Sequence, residues 1–242
     1  MGNSSISGRL EYAVNEVCKQ VMTSVQSINW QAYDERSLWH ELVSCILGSQ
    51  VQYEHSQSAA TYLISEGLLD IEHLRQDATK FERDIVDALE QPIFSPMTKR
   101  QGRKYRYPKL RANHIRRTAE QIYLSGHSIR SILLSCDNEK DVRSKIVSFA
   151  VGVGPKQASL FLRNIGYAKN LAILDTHILK YMSVVGLLPQ IIQSVSSLRK
   201  YEVIEQLLCS YSKRFQTSLA YIDTAIWVVM RTCWKENIIL WA

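Results

Sequence analysis

Apolar residues recur along this chain at intervals of three and four. Leu38, Leu42, Cys45 and Ile46 fall on one helical face at that spacing, and so do Val142, Ile146, Phe149 and Ala150. Runs of strict alternation are short. Ten glycines and five prolines are spread thinly over 242 residues, so breakers are few and well separated. The pattern predicts an all-α protein without internal repeats or low-complexity tracts. It weakens between Gln91 and Pro108, where Pro92, Pro96, Gly102 and Pro108 interrupt any helix. That stretch is expected to be a loop or linker crossing the surface. The length suits one large domain or two small lobes sharing a cleft.

One segment breaks the helical pattern in an ordered way. A helix ending near Ala150 is followed by Val151-Gly-Val-Gly154, then by Pro155 and a new apolar face made of Ala158, Phe161, Leu162 and Ile165. Gly152 and Gly154 allow a tight turn in which the backbone can take positive φ. Pro155 suits the first position of a helix, where its missing N–H matters least. Gly166 stands where a C-terminal cap is expected. The unit reads as helix, glycine hairpin, helix. Its backbone N–H groups would point together at a helix N-terminus, which is an anion site suited to a DNA phosphate. A dinucleotide-binding turn is the competing reading of Gly-x-Gly. It loses here because no strand precedes the turn and the third glycine is absent.

Lys156 sits in the first turn of the second helix, where the positive end of the dipole disfavours an ammonium and favours a free amine. It is either a phosphate contact or a poised nucleophile for a sugar C1′. Nineteen residues on, Leu171-Ala-Ile-Leu-Asp-Thr-His places Asp175 between an apolar run and another helix start. Asp175 suits an N-cap, and a capping carboxylate is held rigidly enough to serve chemistry as well. His177 is either a surface histidine at a helix start or a phosphate contact.

Charge sharpens this picture. Lys and Arg total 29 against 23 Asp and Glu, for a net charge of +6. Lys99, Arg100, Arg103, Lys104, Arg106, Lys109, Arg111, Arg116 and Arg117 follow one another with no acidic residue between, and Tyr105 and Tyr107 are interleaved. Such a run suits contact with a phosphate backbone; the plainer alternative is a solvated loop. Five cysteines occur at wide spacing with no C-x-x-C pair. Neither a zinc site nor an iron–sulfur cluster is supported, and a reduced, intracellular protein is expected. No apolar run reaches membrane-spanning length and no signal-peptide pattern opens the chain.

Taken together, Gly152-Val-Gly-Pro-Lys156 with Asp175, Thr176 and His177 resembles the helix-hairpin-helix DNA glycosylases that carry a Gly/Pro-rich loop and a catalytic Asp. Gly154-Pro-Lys-Gln-Ala-Ser-Leu-Phe-Leu-Arg-Asn-Ile-Gly166 and Lys104-Tyr-Arg-Tyr-Pro-Lys-Leu-Arg-Ala112 are similar to the compact archaeal-type 8-oxoguanine DNA glycosylase/AP lyases. The resemblance is strong from Lys104 to Met182 and fainter elsewhere. It implies two helical lobes with the hairpin at the interdomain cleft. One lobe would be formed by residues 1–35 and 157–242, and a central one by 36–156.

The same resemblance implies that Lys156 attacks C1′, expels the base and forms a Schiff base, with Asp175 activating it, before β-elimination nicks the strand. Arg106, Val151, Gly152, Gly154 and His177 would contact DNA. Glu41-Leu-Val-Ser-Cys-Ile-Leu-Gly-Ser-Gln50 resembles the family helix that ends in a polar residue at the DNA, so Gln50 would fill the gap left by an extruded base; a plain helix-end glutamine is the alternative. Tyr221-Ile-Asp-Thr-Ala-Ile-Trp-Val-Val-Met230 resembles the family's last helix, which lines the base pocket, so Trp227 or Trp234 would stack on the flipped base or else serve as a core tryptophan. No metal or organic cofactor is implied. The expected partner is double-stranded DNA, met by a monomer in the cytoplasm at the nucleoid, without membrane.

Three departures qualify this. Ala150-Val151 stands where much of the superfamily has Leu-Pro. The chain closes on Ile239-Leu-Trp-Ala242, unlike compact members that use this end on oxidised guanine. The missing cysteine cluster argues against the endonuclease III and adenine-glycosylase branches. Open alternatives are the same chemistry on another or a hypermodified base, as in phage DNA; a non-catalytic DNA-binding hairpin protein; and an adaptor whose basic run meets RNA or an acidic partner.

Overall fold

The computed structural model describes residues 2–24, 28–92, 94–98 and 101–235. Twelve α-helices dominate these residues, as the three-and-four periodicity predicts, and they fall into two compact units. One unit comprises residues 29–165, the other residues 1–28 and 166–242. All of the second hairpin helix therefore lies with the central residues.

The central unit holds α2 (Glu35–Leu47), α3 (Tyr53–Ser65), α4 (Ile71–Gln76), α5 (Ala78–Leu89), α6 (Pro108–Ala119), α7 (Ile129–Leu134), α8 (Glu139–Phe149) and α9 (Pro155–Asn164). Their starts are chemically marked. Asp34 accepts from Ser37 N (2.7 Å), Asp77 from Lys80 N (2.9 Å) and Asn138 from Asp141 N (3.0 Å), each at an N-cap. Pro108 and Pro155 open α6 and α9 at positions that need no N–H donor. The core of the unit combines Leu38, Leu42 and Ile46 with Leu63, Phe81, Ile85, Ile115, Ile146 and Phe161, each at most 2% exposed. Arg143 on α8 is buried and reaches Ser159 Oγ on α9 (3.3 Å), joining the two hairpin helices through a polar bond.

The other unit holds α1 (Gly2–Ser24), α10 (Thr176–Val184), α11 (Leu198–Ser212) and α12 (Leu219–Lys235). α1 and α10 pack on α12 around Val14, Leu179, Met182, Leu208, Ile222 and Ile226. Gly166 has φ +76°, and a Cβ there would stand 2.2 Å from the carbonyl oxygen of Ile28, so only glycine lets the chain pass at this point.

The expected loop between Gln91 and Pro108 is not wholly irregular. Strands β1 (Phe94–Thr98) and β2 (Gln101–Arg103) pair antiparallel, Phe94 opposite Arg103 and Thr98 opposite Gln101. Prolines break a helix, but one in a two-stranded ribbon can face the unpaired side. The segment beyond is then pinned. Tyr105 N–H donates to Leu89 O (3.1 Å), Tyr105 OH donates to Leu47 O, and His55 Nε2 bonds Lys104 O (3.1 Å).

Candidate DNA-binding and catalytic site

The hairpin forms as the local chemistry predicts, with one change. Gly152 takes φ +75°, but Gly154 is extended at φ −90°, ψ 179° and serves as the N-cap position of α9. A Cβ on Gly152 would collide with the His114 ring at 2.1 Å, whereas one on Gly154 would meet only Gln157 Oε1 at 3.7 Å. The two glycines therefore answer different demands: the first is required by the fold, the second leaves its backbone open for close approach. The N–H of Val151 donates to Thr118 Oγ1 (2.9 Å) and that of Val153 to Ala150 O (3.2 Å). Val151 is half-buried, and its N–H is therefore committed within the protein. The N–H groups of Gly152 and Gly154 make no bond to described residues.

Lys156 is the second residue of α9 and half-buried. No hydrogen bond or ion pair joins its amine to the described residues. Its charge is felt on α2 by buried Cys45, which is paired with half-buried Glu41. Cys45 Sγ lies 3.8 Å from Glu41 Oε1, and that same oxygen accepts from Asn164 Nδ2 (2.7 Å) at the far end of α9. Burial first, then the Glu41 carboxylate, pushes the Cys45 thiol well up, while Lys156 acts on it in the opposite sense. Burial also raises the Glu41 carboxyl, with the Asn164 and Cys45 bonds opposing. The Glu41–Asn164 bond fixes α9, and with it Lys156, against α2.

Asp175 belongs to the other unit and is the N-cap of α10. Its Oδ1 accepts from His177 N and Ile178 N, both at 2.9 Å, so Oδ2 is not used in the cap. The residues before it run extended without a strand partner, and their backbone groups are met by side chains. Glu205 accepts from Ala172 N (2.9 Å) and Asp223 from Ile173 N (2.9 Å). Tyr201 OH accepts from Leu174 N (2.9 Å) and donates to Ala172 O (2.7 Å). A tight three-residue turn, Asp175 N to Ile173 O (2.7 Å), delivers the carboxylate. Sequence reasoning missed these holders. The signal was available: Glu205 and Asp223 are acids at core positions of amphipathic helices, 1% and 3% exposed.

His177 and Trp227 stand together, ring centroids 6.5 Å apart and edge to face. His177 Nδ1 is buried without a partner among the described residues. Trp227 is 36% exposed, with the Arg231 guanidinium 4.7 Å from its ring, so it is not a core tryptophan. The side chain of Trp234, and Ile239–Ala242, lie outside the described residues.

Gln50 stands three residues beyond the end of α2, exposed, with φ +61°. It is therefore not the last residue of the helix but the head of a left-handed turn, an uncommon state for a side-chain-bearing residue and one that concentrates at functional sites.

The basic run is divided by the fold. Lys104, Arg106, Lys109 and Arg117 are exposed, Arg106 lying 4.9 Å from the Tyr107 ring. Arg116 is engaged by Glu82 and Glu120, and Arg111 is buried. Tyr105 is buried too, so it is an anchor and not an interleaved contact. Lys99 and Arg100 lie outside the described residues, as does the side chain of Arg103. Among the described residues no group of three His, Cys, Asp or Glu could hold a metal, all five cysteines are free, and no helix is long and apolar enough to cross a membrane.

Residues 19–217 match the family model for 8-oxoguanine DNA glycosylase. An 8-oxoguanine DNA glycosylase/AP lyase of Korarchaeum cryptofilum is 36% identical over 125 residues, covering 52% of this chain and 57% of that protein. The chain thus matches a little over half the length of the curated relatives it resembles. Among solved structures, the Methanocaldococcus jannaschii 8-oxoguanine DNA glycosylase superposes with TM-score 0.65 at 25% identity, covering 93% of this chain and 92% of that one. A crystal structure of that organism's glycosylase/lyase with a 15mer DNA containing 8-oxoguanine gives TM-score 0.62 at 23% identity, covering 99% and 95%.

Proposed function

The chain belongs to the 8-oxoguanine DNA glycosylase family, and we propose that it is a bifunctional DNA glycosylase/AP lyase that removes 8-oxoguanine from duplex DNA through a Lys156 Schiff base. The observation that carries this reading is Lys156 itself. It stands in the first turn of α9, its amine bonded to no described residue, two positions after Gly154, whose N–H, like that of Gly152, is bonded to none either. That is an anion-binding turn with a nucleophile in its first helical turn.

The N–H groups of Gly152 and Gly154 would take one backbone phosphate, while Arg106, with Lys104, Lys109 and Arg117, adds sequence-independent attraction. His177, at the start of α10, is suited to a second phosphate. Gln50 would enter the gap while the damaged nucleotide swings out, at an extrusion cost of a few kcal/mol. Trp227, flanked by His177 and Arg231, offers the flipped base an aromatic face.

In the chemical step the Lys156 amine bonds to C1′ as the glycosidic C1′–N9 bond breaks. The departing base takes that electron pair and a proton. Asp175, through Oδ2, accepts a proton from the amine and stabilises positive charge on the sugar. Ring opening leaves the Schiff base. Loss of a C2′ proton then expels the 3′-phosphate, and water releases Lys156. A monomer acting on duplex DNA in the cytoplasm, at the nucleoid, accords with this reading.

Borohydride trapping on a duplex with 8-oxoguanine opposite cytosine tests it. A covalent complex is expected with the native chain and none with Lys156→Gln. Trapping on an abasic duplex alone would move the substrate to another modified base. No trapping on either duplex, with binding intact, would reduce the protein to a DNA-binding hairpin.

A further inference from the structure

The chemistry proposed above makes no use of the buried face of α6, where Arg111, His114 and Thr118 follow one another at helical spacing. Arg111 is 4% exposed, yet no carboxylate among the described residues pairs with it. Its charge is met by the carbonyl end of α2 instead, where the helix dipole is negative. Nη2 donates to Ser49 O (2.8 Å), the carbonyl immediately before Gln50 and its left-handed φ. Nη1 donates to His114 Nδ1 (3.2 Å). A guanidinium has no acceptor, so His114 must present a bare Nδ1 and keep its proton on Nε2.

The same imidazole fills the space beside Gly152: its Nδ1 and Cε1 stand 2.1 and 2.4 Å from where a Cβ would be. One turn further along α6, Thr118 holds the Val151 N–H. A single helix face thus grips two turns about a hundred residues apart in the chain. A planar fork that spans two acceptors can do this, and an ammonium point charge cannot.

We propose that Arg111 and His114 are positioning residues that lock the Gln50 turn to the Gly152 turn, so that the glutamine enters the duplex in register with the phosphate held by the hairpin. This rests on the reading of Gln50 as the gap-filling residue, and the test separates the two.

His114→Leu keeps bulk beside Gly152 but offers Arg111 no acceptor; His114→Asn restores one near the Nδ1 position. The full chain is assayed in single turnover on 8-oxoguanine opposite cytosine and on a preformed abasic site. His114→Leu is expected to slow base excision by roughly tenfold, the scale of one lost charge-assisted hydrogen bond, with much less effect on abasic-site nicking and on the substrate concentration at half-saturation. His114→Asn should recover most of the loss. Hydrogen exchange across residues 47–53 and 150–154 should speed up together in His114→Leu and return in His114→Asn.

Faster exchange at the hairpin alone would overturn the proposal, as would equal slowing of excision and nicking. In a Gln50→Ala background the His114→Leu effect on excision should vanish; strict additivity would also overturn it. Gln50→Ala leaving excision unchanged would remove the role of Gln50, and the paired exchange result would then decide the lock by itself. Should His114→Leu fail to fold, Arg111→Lys, which keeps the charge but loses the fork, carries the same expectations.

Discussion

The two side chains proposed for catalysis both stand at a helix N-terminus, and the contrast between their settings is instructive. Asp175 is an anion at the positive end of α10, doubly bonded by the backbone it caps. Lys156 stands in the first turn of α9, and no hydrogen bond or ion pair ties its amine to a described residue. One group is held still by its cap and the other is left untied. The supports differ in kind as well. The turn before Lys156 is braced by side chains of α6, namely Thr118 and His114. The segment before Asp175 is carried by Glu205, Asp223 and Tyr201, from helices far along the chain.

The sharpest way to break this comparison is at Asp175. Asp175→Asn keeps an acceptor for the cap and should leave the melting temperature nearly unchanged, while base excision falls by roughly 10²–10⁴-fold, as for loss of a proton acceptor and a fixed charge. Asp175→Ala should lose the same activity and also about 1 kcal/mol of stability, read by denaturant unfolding. Equal stability in both variants would show that the cap contributes nothing.

The support of that carboxylate can be broken next. Asp223→Ala leaves the part-buried Ile173 N–H without its acceptor and should destabilise the chain by about 1 kcal/mol. Single-turnover excision should fall with it, because the turn that delivers Asp175 follows directly. Unchanged excision in a destabilised variant would show that Asp175 is positioned by its cap alone.

The hairpin predicts a split between its glycines. Gly152→Ala meets both a positive φ and the His114 ring, and should lower stability by about 1 kcal/mol or more. Gly154→Ala should melt like the native chain and instead weaken DNA binding, measured at fixed salt, since a methyl group there intrudes only on an incoming phosphate. Equal melting losses would remove the distinction.

The smallest effect is on pH. Burial lowers the His114 pKa, with Arg111 and then Arg117 adding to the shift. Burial also lowers that of His40, with Arg36 adding and Asp34 opposing. A histidine lowered in the folded state binds fewer protons there than in the unfolded chain. Its contribution is therefore full above the usual value of about 6.5 and is lost as pH falls below it. The melting temperature should drop between pH 7.5 and 5.5, and His114→Asn should flatten part of that drop.

Much of this site is legible in the sequence itself. The glycine hairpin, Pro155 opening α9, Asp175 capping α10 and the apolar faces of α2, α8 and α9 are all local events, set by residues within one or two turns of each other. That is the range over which caps, dipoles and helical periodicity act. The prolines of 92–108 misled for the same reason. They end helices locally, whereas pairing Phe94 with Arg103 depends on residues across a turn.

What only the tertiary structure decided involves partners far apart in the chain. Arg111 looks like one more cation in a basic run until Ser49, 62 residues away, takes its Nη2. Val151 looks like a phosphate donor until Thr118, 33 residues away, takes its N–H. Gln50 looks like a helix end until its turn is seen with φ +61°. Charge and hydrogen-bonding capacity are written in each residue, but which of them faces water, DNA or another side chain depends on packing, and packing joins positions that the order of the chain keeps apart.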